Sequence, residues 1–187
     1  MIGPVGRIKS GAAVRAVVGQ DYRRAMAAAD PYLLDLADEA ATTALARRIA
    51  ALCRSGDVLA LDGDFGTGKT TFARAFIRAR CTAAEDVPSP TFTLVQVYPA
   101  AEGQDAAVYH FDLFRLRTAD EALDLGIEDA FAEGISLIEW PQRLGPLLPP
   151  DRLDLAFRFG GSPGSRTLTL SAPGGDFLAR LKEAGVV

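Results

Sequence analysis

The sequence predicts a single α/β domain in which a mixed sheet is flanked by helices, and three observations lead to this fold class. Short apolar runs typical of buried strands alternate with segments whose apolar residues recur every three or four positions, as in helices. A glycine-rich turn joins one such strand directly to a helix. A length of 187 residues with 49% hydrophobic and 24% charged residues suits one globular domain and excludes a disordered or fibrous chain.

Residues 1–30 are expected to form a loosely ordered extension, and residues 31–187 the domain. The extension carries five basic residues and two acidic ones, whereas the whole chain has a net charge of −4. No amphipathic period runs through it, and Met26 would serve as an initiator if the extension is not translated. Neither a secretory signal nor an apolar run near the roughly 18 residues that cross a bilayer is found. Because Cys53 and Cys81 form no disulfide framework, we expect a cytoplasmic protein.

Four elements are predicted in the first half of the domain. Apolar residues recur at spacings of three and four over 38–53, which indicates a helix. The buried-strand pattern DVLAL covers 57–61 and leads into the glycine-rich turn, after which a helix is expected over 69–80. The prolines of the next segment, VPSP, favour an extended backbone, and the run TFTLVQVY predicts a strand over 91–98.

The second half is predicted to complete the sheet. A short apolar strand over 108–111 precedes a helix over 118–125, which a Thr-x-x-Glu capping box opens and a glycine closes. A further buried strand, ISLI, covers 135–138. Two alternating segments joined by GGSPG predict a hairpin over 153–170, and a last helix is expected over 176–184.

The segment GDFGTGKT, residues 63–70, matches the phosphate-binding pattern G-x-x-x-x-G-K-[S/T] between a strand and a helix. Glycines let backbone N–H groups converge on phosphate oxygens, and the helix adds the positive end of its dipole. Lys69 would reach the β- and γ-phosphates, and the Thr70 hydroxyl would ligate Mg²⁺. At this chain's frequencies of Gly, Lys, Ser and Thr, about 0.003 matches are expected by chance. The sequence therefore predicts a nucleotide site in a P-loop NTPase-like fold.

Two carboxylates at predicted strand ends are candidates for holding the metal. Asp112 follows VYHF and Glu139 follows ISLI, and the carboxyl ends of strands in α/β sheets cluster at the ligand crevice. Taken alone, each could equally be a solvated carboxylate. Neither Lys9 nor Lys182 lies in the N/T-K-x-D pattern of guanine recognition, so ATP is favoured over GTP.

For several other polar and aromatic residues, the sequence allows both a functional and a purely structural role. His110, next to an apolar residue in a predicted strand, is more often packed and hydrogen-bonded than catalytic. Arg115 and Arg117 either lie in solvent just after the predicted strand ends, or supply positive charge to phosphate or a partner. Trp140, the only tryptophan, either covers the crevice or faces a partner, or is simply packed at the end of its strand.

Five ordered blocks between about Asp38 and Arg158 resemble the TsaE (YjeE) family, small bacterial ATPases needed for the threonylcarbamoyladenosine modification of tRNA. The blocks are GDFGTGKTTF at 63–72, SPTFTLV at 89–95, HFDLFRL at 110–116, LGIED at 125–129 and LIEWP at 137–141. The family often has Leu or Ala at Phe65 and Thr67, and Tyr at Phe114; these changes are chemically mild. Five collinear blocks are much more specific than a phosphate-binding loop alone.

The resemblance implies roles for individual residues. Glu139 and Thr70 would associate with Mg²⁺, Asp112 would act in hydrolysis together with Lys69, and SPTFTLV would be a switch-like segment sensing the γ-phosphate. The residues expected to bind ATP are Thr42, Gly63, Asp64, Phe65, Gly66, Thr67, Gly68, Lys69, Thr70, Thr71 and Trp140. The implied partners are TsaD and TsaB, in a complex that acts on tRNA.

On this resemblance we expect an ATPase that resets a modification enzyme between cycles and is slow on its own. Two other functions stay open at this point. A small-molecule kinase would use the same phosphate-binding loop, although no acceptor pocket can be read from the sequence. A non-catalytic adaptor would change its affinity for a partner on ATP binding alone.

Overall fold

The computed structural model describes residues 31–81 and 87–187, and within these ranges the chain forms a seven-stranded mixed sheet flanked by helices, which confirms the predicted α/β fold class. The strands are β1 (Tyr32–Leu36), β2 (Val58–Asp62), β3 (Val95–Tyr98), β4 (Val108–Asp112), β5 (Ile135–Glu139), β6 (Leu153–Phe159) and β7 (Arg166–Ser171). The α-helices are α1 (Glu39–Ala50), α2 (Lys69–Arg80), α3 (Ile127–Glu133) and α4 (Phe177–Glu183), and 3-10 helices span Ala119–Leu125 and Pro141–Leu147. None of the helices in these ranges is long and apolar enough to cross a membrane. The extension predicted over 1–30 lies outside the described residues.

The strand order β1-β7-β6-β2-β5-β4-β3 places four parallel strands at the centre and antiparallel pairs at both edges. Strands β6, β2, β5 and β4 run parallel, whereas β1–β7, β7–β6 and β3–β4 are antiparallel. Parallel neighbours end at the same edge of the sheet, so the last residues of β2, β4 and β5 are brought together. Asp112 and Glu139 are direct partners in the β4–β5 register.

The sheet is covered on both faces by buried apolar side chains. The larger cluster lies under α1, α2 and α4 and includes Ile49, Phe72 and Phe157, while the smaller one lies under α3 and the 3-10 helices and includes Ile127 and Ile138. A central strand that is covered on both faces has no solvent-facing side, which explains why three of the first four residues of β5 are apolar.

Two predicted elements differ in the structure. The strand predicted over 91–98 begins only at Val95, because residues 91–93 form a turn in which the Leu94 amide donates to the Pro90 carbonyl at 2.6 Å. The helix predicted over 118–125 is a 3-10 helix without the capping box: the Thr118 hydroxyl meets the Glu121 carboxylate at 3.4 Å instead of a backbone amide. The closing glycine, Gly126, is confirmed as a left-handed cap.

Three further elements have no counterpart in the sequence-based prediction: β1, α3 and the 3-10 helix over Pro141–Leu147. Strand β1 is five residues long and pairs with β7, which places Leu34 opposite Leu168. Its apolar pattern is too short to be distinguished from a loop without knowledge of that distant partner.

Cys53 and Cys81 are both free and buried, and burial raises the pKa of each thiol, that of Cys81 to about 11. In the unfolded chain these thiols ionise near their ordinary value, so unfolding releases protons between roughly pH 9 and 11. We therefore expect the free energy of unfolding to fall as pH rises through this range. Urea titrations at several pH values should show a shallower decline in a Cys53→Ala/Cys81→Ala variant; identical slopes would contradict the prediction.

Candidate nucleotide-binding site

The glycine-rich loop of residues 63–68 leaves the end of β2 and enters α2 with a backbone that only glycine tolerates at two positions. At Gly63 the φ angle is +146°, and an added Cβ would lie 2.6 Å from both the Phe157 carbonyl oxygen and the Thr67 hydroxyl. Gly68 caps α2 with a φ angle of +108°. The loop therefore curls tightly at the helix N-terminus, as the sequence pattern predicts for a phosphate site.

A cavity of about 350 Å³ opens in front of this loop. Side chains from α1, α2, the segment before β3 and the ends of β4 and β5 meet around it. Its lining consists of Asp38, Glu39, Thr42, Phe65, Gly66, Gly68, Lys69, Thr70, Thr71, Ser89, Thr91, Asp112, Glu139, Trp140, Gly164 and Arg166. The predicted residues Gly63, Asp64 and Thr67 belong to the loop but do not line the cavity.

Lys69 is buried, and its ammonium group is turned back onto its own loop. Nζ donates to the carbonyl oxygens of Gly63 at 2.6 Å and Asp64 at 2.9 Å, and lies 4.3 Å from the centroid of the Trp140 ring. Burial lowers the pKa of Lys69 below that of an ordinary lysine, although nearby carboxylates, Glu139 first among them, act in the opposite direction. A cation held in this desolvated setting attracts a phosphate group strongly.

Thr70 and Glu139 contact each other directly across the cavity. The Thr70 hydroxyl lies 2.9 and 3.0 Å from the two carboxylate oxygens of Glu139, which is itself buried at the end of β5. A hydroxyl and a carboxylate are hard oxygen ligands of the kind Mg²⁺ takes, so the donor set fits this metal. Within the described ranges no group of three or more His, Cys, Asp or Glu side chains is arranged to hold a metal, so nucleotide and water oxygens would have to complete the shell.

Asp112 is buried and holds the segment that precedes β3. Its Oδ2 accepts hydrogen bonds from the hydroxyls of Thr91 at 2.7 Å and Ser89 at 3.1 Å, and its Oδ1 accepts from the Phe114 amide at 3.2 Å. The contact with Thr91 also explains why the strand begins late. Since Ser89 and Thr91 line the cavity as well, they bring the SPTFTLV segment and Asp112 to the same place.

Three aromatic rings pack together beside the cavity, and two of them, Phe65 and Trp140, line it. Phe65, which is 64% exposed, packs against Phe114 and Trp140 with ring centroids 4.8 and 4.9 Å apart, and Phe114 lies 5.1 Å from Trp140. Trp140 adopts φ +61°, a left-handed conformation that costs a bulky residue about 1–3 kcal/mol. The Trp140 ring thus packs against its aromatic neighbours at the strand end and also borders the cavity.

Arg166 lines the cavity although no pattern in the sequence predicts it as a site residue. From the start of β7, its Nε donates to the Thr67 carbonyl at 3.0 Å and one terminal nitrogen donates to the Gly66 carbonyl at 2.9 Å. Its guanidinium also lies 5.0 Å from the Phe159 ring centroid, in the other strand of the same hairpin. These contacts tie the Gly66 and Thr67 carbonyls of the loop to the β6–β7 hairpin.

We expect Arg166→Met to weaken ATP binding about tenfold, because two charge-assisted hydrogen bonds that fix the loop are lost, each worth roughly 1.5–3 kcal/mol and only partly felt by the ligand. Calorimetric titration with ATP would measure the change. Arg54→Met is a matched control, since Arg54 is exposed, pairs with Asp176 and does not line the cavity. Equal affinities for the two variants would show that the loop holds its shape without Arg166.

Comparisons with known proteins identify chains that are similar to this one. The family model described as threonylcarbamoyl adenosine biosynthesis protein TsaE matches residues 36–167. A tRNA threonylcarbamoyladenosine biosynthesis protein TsaE of Bacillus subtilis is 37% identical over 134 residues, 71% of this chain and 80% of the relative. The protein of the same name from Rickettsia felis is 36% identical over 123 residues, 66% of this chain and 70% of the relative. The crystal structure of Bacillus subtilis YdiB superposes with a TM-score of 0.64 at 27% identity and covers 83% of this chain and 95% of that one.

Proposed function

Because the chain belongs to the TsaE family of threonylcarbamoyladenosine biosynthesis proteins, we propose that it binds and hydrolyses ATP with Mg²⁺ in support of that tRNA modification. It acts with TsaD and TsaB homologues in the cytoplasm and resets the modification enzyme between cycles. The observation that carries the proposal is the meeting of Lys69, Thr70, Asp112 and Glu139 around one cavity at the carboxyl edge of the sheet.

Each of these residues has a chemical task in hydrolysis. When ATP binds, the ammonium group of Lys69 exchanges its hydrogen bonds to the loop carbonyls for hydrogen bonds to phosphate oxygens. Thr70 and Glu139 would hold Mg²⁺, which would supply positive charge to neutralise the phosphates. Asp112 orients the attacking water and accepts its proton, a role that general bases commonly perform for about 10²- to 10⁴-fold in rate.

Two features support slow turnover by the protein alone. Both oxygens of Asp112 are already engaged by the segment before β3, so the carboxylate must be released before it can bind a water. Arg166 is the one arginine among the described residues that lines the cavity, and its guanidinium is occupied with loop carbonyls. Phosphoryl-transfer proteins that lack a free arginine at the phosphates hydrolyse nucleotide about 10³- to 10⁵-fold faster when a partner supplies the missing positive charge.

The test is a reconstituted tRNA modification reaction with TsaD and TsaB homologues, run with ATP or with a non-hydrolysable analogue. With ATP, we expect many rounds of modification and ATP hydrolysis that rises when the partners are added. With the analogue, modification should stop after about one round per complex, because resetting requires hydrolysis.

Other outcomes would favour the other functions. Continued rounds of modification with the analogue would identify an adaptor that works by binding alone. Transfer of labelled γ-phosphate to a small molecule would identify a kinase. Fast hydrolysis by the isolated protein that the partners leave unchanged would contradict the proposed dependence on a complex.

A further inference from the structure

His110 is the only histidine of the chain, and it is fully buried inside the sheet. It lies on β4 opposite Leu137 of β5, two residues before Asp112 and one strand away from Glu139. Its Nε2 atom is 3.0 Å from Oε1 of Glu139. Glu139 is therefore contacted from two sides, by the Thr70 hydroxyl at the cavity and by the imidazole from the interior.

The direction of this hydrogen bond follows from its partners. A carboxylate can only accept, so the imidazole must carry a proton on Nε2. The other ring nitrogen, Nδ1, is buried and has no hydrogen-bond partner among the described residues. A proton on Nδ1 would be an unsatisfied donor, whereas a proton on Nε2 is satisfied by Glu139.

We propose that His110 is a positioning residue for the metal: its Nε2–H fixes the Glu139 carboxylate in the orientation that faces Thr70 and Mg²⁺. The inference rests on the metal site of the proposed function. Glu139 ends β5, directly before the strained Trp140, and its carboxylate is held by the imidazole of His110 in addition to the Thr70 hydroxyl. Carboxylates that bind metals are held by hydrogen bonds in this manner, and loss of such a partner commonly weakens metal binding about 10- to 100-fold.

A purely structural role makes different demands on the side chain. If His110 only filled space among its apolar neighbours, methionine, of similar volume, would replace it without effect on the metal. If the Nε2–H matters, glutamine should replace histidine better than methionine does, because its amide can donate from a similar position.

Nuclear magnetic resonance of the imidazole in the unaltered protein tests the hydrogen bond directly, and a single histidine makes the assignment unambiguous. We expect the proton on Nε2, a shift of this signal when Mg²⁺ and ADP are added, and a different signal in Glu139→Gln. A proton found on Nδ1, with none on Nε2, would overturn the inference even if the protein proves to be an ATPase.

The functional test compares His110→Met with His110→Gln, with Glu139→Gln as the reference. Calorimetry gives the affinity for ADP as Mg²⁺ is raised, and thermal melting verifies the fold. We expect His110→Met to need about 10- to 100-fold more Mg²⁺ than the unaltered protein for half of the Mg²⁺-dependent gain in ADP affinity. Its ADP affinity in the absence of metal should be unchanged. His110→Gln should need nearly as little Mg²⁺ as the unaltered protein. If methionine does not fold, glutamine set against the unaltered protein carries the test, and a loss as large as that of Glu139→Gln would count against the inference.

The two levels of failure can be told apart. An unaltered protein whose ADP affinity ignores Mg²⁺ would overturn the metal site and this inference together. An unaltered protein that responds to Mg²⁺, with His110→Met responding equally, would leave the proposed function intact and overturn the role of His110 alone.

Discussion

Lys69→Met is expected to weaken ATP binding by at least about 100-fold and to reduce hydrolysis in the full complex to background. The ammonium group is the cation that the cavity presents to phosphate, and in a desolvated site a charge-assisted hydrogen bond is worth roughly 1.5–3 kcal/mol, or more than tenfold for each bond lost. Loss of turnover follows because charge on the γ-phosphate is then stabilised by one fewer group. Calorimetry and phosphate release would measure the two effects.

Lys182→Met is the matched control for this change. It removes the same charge from α4, where the ammonium lies 4.8 Å from the Tyr32 ring centroid and does not line the cavity. Because burial already disfavours the charged form of Lys69, the methionine variant should stay folded, and thermal melting would verify this. Undiminished hydrolysis by Lys69→Met would disprove the assignment of the phosphate-binding loop.

The parts of the site that could be predicted from sequence are those whose geometry is local. Residues 63–70 determine their own shape through glycines and the start of a helix, so the pattern alone identified the loop. Asp112 and Glu139 lie 27 positions apart, yet each follows a recognisable apolar strand, and a general rule brings the ends of parallel strands together. The register confirms that rule, because Asp112 and Glu139, the last residues of β4 and β5, are direct partners.

The contacts that escaped prediction all depend on pairings that no short window contains. Arg166 reaches the loop across a separation of 100 residues, through a hairpin whose position beside β2 is known only from the sheet. The late start of β3 has a similar cause. TFTLVQVY has the composition of a strand, but the hydrogen bond of Thr91 to a buried carboxylate competes with sheet pairing. The roles of His110 and Ser89 likewise became visible only with the fold.

Asp112→Asn is expected to separate binding from catalysis. Asparagine keeps an oxygen that can accept from Thr91 or Ser89, so the segment before β3 should stay in place and the affinity for ATP should change less than about threefold. It cannot accept a proton from water, so turnover in the full complex should fall about 10²- to 10⁴-fold. Asp120→Asn makes the same chemical change at an exposed position outside the cavity and should leave both quantities unchanged.

The distinction depends on measuring ATP affinity and single-turnover hydrolysis in the same preparation of each variant. If Asp112 were a metal ligand, the asparagine variant would lose affinity and turnover together and would recover both at high Mg²⁺. If its main task were to anchor Ser89 and Thr91, a Thr91→Val variant would reproduce the entire loss of turnover, because removing the 2.7 Å hydrogen bond would disturb the same segment. For a residue that handles the attacking water, Thr91→Val should instead retain most of the turnover of the complex, since the carboxylate is left intact and less restrained.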